Sequence, residues 1–140
     1  MYLYHELGRI GEDIAAKYLV NSNYEIIERN FRCKQGEIDI IAKEDDEIVF
    51  IEVKTRSNVA CGRPSEAVNQ VKQKHIKKAT KYYIYLNKLE NYYIRIDVIE
   101  VYLKNNKFYI NHINCISLFI AFYYISYYSS YCCFYCISYF

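Results

Sequence analysis

The chain reads as an α/β domain, a mixed central β-sheet flanked by helices, with an anomalous C-terminal tail. Three observations predict this. Apolar periodicities follow one another in the order helix, three strands, helix, two strands, which calls for one mixed sheet with helices packed on it. The 140 residues allow one domain with a real core and are too few for two. The 18 basic and 16 acidic side chains all lie between positions 1 and 107, so the last quarter is chemically distinct. The expected division is a domain at 1–112 and an uncharged Tyr/Cys/Ser-rich tail at 113–140.

Each element has its own signal. Over residues 6–21, Leu7, Ile10, Ile14 and Tyr18 recur at helical steps, with Ala15 and Leu19 widening the stripe, and Asn21-Ser22-Asn23 ends the helix. Residues 24–32 read as a strand, and Gln35-Gly36 as a turn. Residues 37–43 and 48–56 form a hairpin around Glu44 to Glu47. A loop at 57–63 leads into a helix whose start is signalled by Gly62-Arg63-Pro64-Ser65-Glu66. That helix runs to about Leu86, with Val68, Val71, His75, Ala79, Tyr82 and Leu86 as its apolar stripe. Residues 92–103 and 107–112 form a second hairpin around Asn105-Asn106.

The first hairpin carries the chemistry. With Asp45-Asp46 as the turn, Glu44 faces Glu47, and Asp39 lies directly across from Glu52, their Cβ atoms about 5 Å apart. Lys54, two residues beyond Glu52, points to the same face. Ile38, Ile40 and Ala42 then share a face with Val49, Ile51 and Val53. A slip of one residue would send the two acids to opposite faces. Carboxylates in strands this apolar are costly to desolvate unless they are paired or hold a metal. Hydrolysis of a phosphodiester needs phosphate charge neutralised and hydroxide supplied at neutral pH, and Mg²⁺ does both. Asp39 and Glu52 are the expected metal ligands, with the Val53 carbonyl a third; Lys54 would orient the attacking water or stabilise developing negative charge. Glu12 shares a helix face with Gly8, Ala15 and Leu19, and a helix packed on the sheet could bring it to the metal. Spacing alone leaves a structural cross-strand ion-pair cluster equally open.

These stretches, taken together, resemble the YraN family of small bacterial proteins, usually called endonucleases and assigned to the PD-(D/E)XK, restriction-endonuclease-like superfamily. The matching segments are Gly11-Glu12-Asp13-x-Ala15-Ala16-x-Tyr18-Leu19, Arg29-Asn30-x-Arg32, Gly36-Glu37-Ile38-Asp39-Ile40-Ile41-Ala42, Phe50-Ile51-Glu52-Val53-Lys54-Thr55-Arg56 and Pro64-x-Glu66-Ala67-Val68, in order and over more than half the chain. The resemblance implies the restriction-endonuclease-like core and puts Asp39, Glu52 and Lys54 at the signature positions. It also implies that Glu12 is similar to the helical glutamate of archaeal Holliday-junction resolvases. Ile38 stands where the superfamily name has Pro, a departure that leaves metal ligation intact. The implied cofactor is Mg²⁺ (or Mn²⁺), and the implied activity is endonucleolytic cleavage of DNA, including structured or branched DNA.

Charge distribution bears on partners. Residues 54–81 hold eight basic side chains and one acid, although the whole chain carries only +2. Arg56, Arg63, Lys72, Lys74, Lys77, Lys78 and Lys81 could track a phosphate backbone, giving salt-dependent and largely sequence-independent affinity for nucleic acid, DNA in the first place. A non-catalytic nucleic-acid-binding protein of the same fold is the first alternative. A membrane-tethered interaction protein is the second, because 28 uncharged residues could cross a bilayer, although Tyr, Ser and Cys dominate them. A homodimer is a further option. Six cysteines without a paired framework, no zinc-type cluster beside Cys133-x-x-Cys136, and acids beginning at Glu6 predict a reduced, cytoplasmic protein without a signal peptide.

Overall fold

The computed structural model describes residues 2–56 and 70–118. The elements are α1 (Tyr2–Asn21), β1 (Glu25–Cys33), β2 (Gly36–Glu44), β3 (Glu47–Arg56), α2 (Gln70–Asn87), β4 (Tyr93–Lys104) and β5 (Lys107–Leu118). They build the expected mixed sheet, in the order β1-β2-β3-β4-β5. Neighbours are antiparallel except β3 and β4, which run parallel. The exception follows from connectivity: tight turns return the chain antiparallel, whereas the long α2 connection brings it back in the same direction. The predicted helix start at Gly62 to Glu66, the loop at 57–63 and residues 119–140 lie outside the described residues. Strand β5 continues past residue 112, with Ile113 opposite Val98 and Asn114 opposite Asp97, to Leu118. Among the described residues no helix is long and apolar enough to cross a membrane.

The turns follow local chemistry. Asn105 and Asn106 both take positive φ (50° and 58°), the pattern that matches a two-residue turn to strand twist. Asp45 (φ 50°) does the same between β2 and β3. Helix α1 stops where Asn23 turns left-handed (φ 66°) and the Tyr24 N–H donates to the Leu19 carbonyl at 2.9 Å.

Each face of the sheet has its own core. Against α1 lie Ala15, Ala16, Leu19, Tyr24, Ile40, Ala42, Val49, Ile51, Ile99 and Val101. On the α2 side are Phe31, Ile38, Ile41, Ile48, Phe50, Ala79, Tyr83, Ile84 and Ile94. Helix α1 keeps most of its expected stripe, with Ile14 and Tyr18 packed beside the core, whereas α2 keeps Ala79 but is otherwise rotated from its expected stripe. In α1, Ile10 is 41 % exposed, while Ala15 and Leu19 are fully buried. In α2, Ile76, Ala79, Thr80, Tyr83 and Ile84 face inward, whereas His75, Tyr82 and Leu86 are exposed and the described residues exclude Val68 and the Val71 side chain. Glycines let the helices and the sheet approach closely. A Cβ on Gly11 would sit 1.9 Å from Thr55 Oγ1 of β3, and one on Gly36 would sit 2.9 Å from the His75 carbonyl oxygen of α2. Tyr83 then fills the second core, edge-on to Phe31 and Phe50 with ring centroids 4.9 and 5.7 Å away.

Candidate active site

The β2–β3 register is the one the turn predicts: Glu44 faces Glu47 and Ile40 faces Ile51. The regular pairing stops there. Where Asp39 would meet Glu52, the Val53 N–H donates instead to Asp39 Oδ2 at 2.7 Å. A kink one strand away accompanies this change. Asn30, flanked by the pairs Arg29–Ile40 and Phe31–Ile38 and so opposite Asp39, has φ 56°. The alternation of faces consequently skips a residue at Asp39. Ile40 packs in the α1-side core and Ile38 in the α2-side core, so the expectation that Ile38 shares the face of Ile40 and Ala42 is corrected. At that switch point the Asp39 carboxylate turns along the sheet toward the backbone of β3.

Glu52 is 2 % exposed. Its Oε1 receives the Lys54 ammonium at 2.8 Å and, from α2, the Lys72 ammonium at 2.5 Å. Among the described residues, its Oε2 has no hydrogen-bond partner. Asp39 is pushed up to about 7 by burial first and by the Glu52 charge second, with Glu12 adding to the push; the Val53 N–H and Lys72 pull the other way. Lys72 is raised: burial, the largest single influence, opposes its charge, but the hydrogen bond to Glu52 and the charges of Glu52 and Asp39 together outweigh it. Asp39, Glu52 and Lys54 thus converge toward the end of β3, and the field of the half-buried Glu12 reaches Asp39. The close passage of α1 over Thr55 at Gly11 is what brings Glu12 there.

The family profile described as "Uncharacterised protein family UPF0102" matches residues 11–101, a span that contains all four of these groups. The chain belongs to the UPF0102 family. It is similar to a UPF0102 protein of Clostridioides difficile (52 % identical over 108 residues, 77 % of this chain and 93 % of the relative). A Clostridium botulinum relative is 55 % identical over 103 residues, covering 73 % and 84 %. One from Caldicellulosiruptor saccharolyticus is 51 % identical over 98 residues, covering 70 % and 83 %. The YraN-type likeness carried by the sequence motifs is this same family.

The donor set of this UPF0102 domain suits a cation that keeps much of its water. Among the described residues, no three His, Cys, Asp or Glu side chains form a metal-binding group. A cation here would rest on Asp39 and Glu52 with water and backbone oxygen completing its shell, which is how magnesium is commonly held. The unpartnered Glu52 Oε2 beside a second desolvated carboxylate fits such a cation.

The predicted phosphate-binding residues divide into groups. Lys74, Lys77, Lys78 and Lys81 are exposed along α2. Lys72 turns inward onto Glu52. Arg56, half-buried, lies 3.7 Å from Glu100 Oε1. Arg63 is outside the described residues. Glu100 itself was missed from sequence. It is fully buried, accepts from Tyr102 O–H and from Asn111 Nδ2 (3.1 Å), and leaves Oε1 without a hydrogen bond. It stands next to Lys54 only because β3 and β4 pair in parallel.

A second polar cluster lies toward the opposite end of the sheet, on the α1 side. Arg95 donates through Nε to both Asp97 oxygens (3.1 Å each), through Nη2 to Glu44 (2.6 Å) and the Tyr24 hydroxyl (2.9 Å), and through Nη1 to Glu47. His112 Nε2 contacts Asp97 Oδ2 at 2.9 Å, and Tyr18 O–H reaches His112 Nδ1 at 3.3 Å. For Glu44, burial pushes the carboxyl up, but the bonds from Arg95 and Tyr24 outweigh it and hold it low.

Proposed function

We propose that this domain hydrolyses phosphodiester bonds in DNA as a Mg²⁺- or Mn²⁺-dependent endonuclease, with structured or branched DNA among its substrates. The observation that carries this reading is the Glu52 carboxylate, which is buried, has one oxygen unpartnered, and faces an Asp39 pushed up to about 7 by burial and by that same charge. Purely structural ion pairs satisfy their lone pairs, because an orphaned buried oxygen is costly. Asp39 and Glu52 would hold the ion, with the Val53 carbonyl and water to complete its shell and Glu12 adding to the negative field at Asp39. When bound, the ion would supply hydroxide from water near neutral pH and offset phosphate charge.

The chain's own groups account for the remaining requirements. The Val53 N–H fixes one Asp39 oxygen, Oδ2, so that the carboxylate is held in one orientation. Lys54, 20 % exposed and anchored to Glu52, holds an ammonium group where an incoming water or a developing oxyanion would be met. The exposed Lys74, Lys77, Lys78 and Lys81 provide a basic surface for the phosphate backbone.

The test is cleavage of a DNA panel (duplex, single strand, flap, four-way junction) with Mg²⁺ or Mn²⁺. Wild type should cut at least one substrate, and Glu52→Gln and Lys54→Ala should each lose more than about 100-fold while remaining folded. Equal cleavage by wild type and Glu52→Gln would remove the reading. The Lys face of α2 also favours a second one, a non-catalytic nucleic-acid-binding protein. In that case salt-sensitive binding persists in Glu52→Gln and no variant or metal yields cleavage.

A further inference from the structure

Two ammonium groups share one oxygen of Glu52. Oε1 accepts from Lys54 at 2.8 Å and from Lys72 at 2.5 Å, which fills its lone pairs, while Oε2 stays unpartnered. With both acids ionised, Asp39, Glu52, Lys54 and Lys72 sum to zero charge. A cluster already neutral attracts a further dication weakly, so a resident cation has to move before a metal is held well. The two lysines are not equally able to do so. Lys54 is on the same strand as Glu52, two residues on, and its side chain is 20 % exposed. Lys72 comes from α2 on a four-carbon stem, and its side chain is 39 % exposed.

We infer that Lys72 is a tethered counter-ion of Glu52, displaced when a divalent cation binds and thereby released to contact a DNA phosphate. This rests on the metal-site reading proposed above and adds to it an exchange of partners. The site stays electrostatically closed without metal, since Glu52 is neutralised from the helix. Once the metal is seated, the freed ammonium adds a phosphate contact close to the reacting bond. Binding of metal and binding of DNA would then assist each other through a single side chain.

The experiment measures Mn²⁺ and Mg²⁺ binding by calorimetry on the full chain, without DNA. Lys72→Met keeps the apolar stem and removes the charge. It should bind metal roughly 3- to 10-fold more tightly than wild type, the value of a half-exposed ion pair to a buried acid. Lys77→Met, an exposed charge on the same helix, should change the affinity by less than about twofold because solvent screens it. Duplex binding gives an effect of opposite sign: with Ca²⁺, Lys72→Met should bind DNA more weakly than wild type, and in EDTA the two should be equal. Unchanged or weaker metal binding by Lys72→Met, or an equal loss of DNA affinity with and without metal, overturns the exchange and leaves the metal site standing. Absence of metal binding from both wild type and Lys72→Met overturns the inference together with the reading beneath it.

Discussion

Two clusters of buried charge sit in one five-stranded sheet, and they differ in what they leave unfinished. Around Arg95, a guanidinium group meets three acids, and Tyr24, His112 and Tyr18 close the outer bonds. Around Glu52, two ammonium groups crowd one oxygen and the other has no hydrogen-bond partner among the described residues. Among the described residues, the buried side-chain atoms without a hydrogen-bond partner are Glu52 Oε2, Thr80 Oγ1 and Glu100 Oε1; none belongs to the Arg95 cluster. Glu100 lies on β4 beside Lys54, so both orphaned carboxylate oxygens fall on the same stretch of sheet. Desolvated charge alone therefore does not mark a site. The mark is desolvated charge whose hydrogen bonding is incomplete, because that is where a ligand would lower the free energy most.

The largest expected effect contrasts one substitution in each cluster. Arg95→Met removes the guanidinium that Asp97, Glu44 and Glu47 share while keeping an apolar stem. It should cost about 3–5 kcal/mol, because it breaks the pair with the fully buried Asp97 and takes the guanidinium from the partly exposed Glu44 and Glu47. In thermal unfolding this corresponds to a fall of more than about 10 °C. Glu52→Gln removes a charge from a cluster that is already unsatisfied, and should move the midpoint by less than about 4 °C in either direction. If the two midpoints fall alike, the clusters are energetically the same kind of object and the contrast fails.

A pH scan sharpens the contrast at one residue. The Asp39 carboxyl lies at about 7 in the fold against an ordinary value of 3.8, so the folded chain binds a proton more tightly than the unfolded chain. Stability from this group is complete below pH 4 and is lost as pH rises toward and through 7. In EDTA, wild type should therefore lose stability between about pH 4 and 7 relative to Asp39→Asn, and at pH 8 the variant should melt higher. Asn can still accept from the Val53 N–H, so the variant isolates the charge. Mg²⁺ at pH 8 should raise the wild-type midpoint and leave that of Asp39→Asn unmoved. Parallel curves for the two proteins across this range would show that burial of Asp39 has no electrostatic consequence.

The difference between the clusters also explains what could be read from sequence. Asp45-Asp46 fixes a hairpin register, and register fixes which side chains meet, so the convergence of Asp39, Glu52 and Lys54 was legible from local spacing. The Arg95 cluster was not, since its partners Glu44 and Glu47 lie on the other hairpin and meet Arg95 only through the parallel β3–β4 pairing. Lys72 was read as a surface cation because its helix rotation was unknown. The expected stripes held at Ala15, Leu19 and Ala79, but Ile10, His75, Tyr82 and Leu86 are exposed, and in α2 it is Ile76, Thr80, Tyr83 and Ile84 that face inward. The left-handed Asn30 carried a faint signal, since Asn tolerates that conformation, but nothing in the alternation of β1 announces the kink opposite Asp39.

The smallest effect concerns the rim of the satisfied cluster. Tyr18 O–H reaches His112 Nδ1 at 3.3 Å, a long bond, and the rings also meet edge-on with centroids 5.6 Å apart. Tyr18→Phe deletes the hydroxyl and keeps the ring contact. His112 still faces Asp97 through its other nitrogen, so the inner bonds around Arg95 remain. If the cluster's stability is concentrated at the guanidinium, the variant should lose no more than about 1 kcal/mol. Metal binding at Asp39 and Glu52, toward the other end of the sheet, should not change. A loss approaching that of Arg95→Met would mean that the hydrogen bonds reinforce one another from Tyr18 to Glu47 and that the cluster acts as a single unit. A change in metal binding would be the more damaging result, because it would join two regions whose distinct chemistry is the basis for assigning structure to one and reaction to the other.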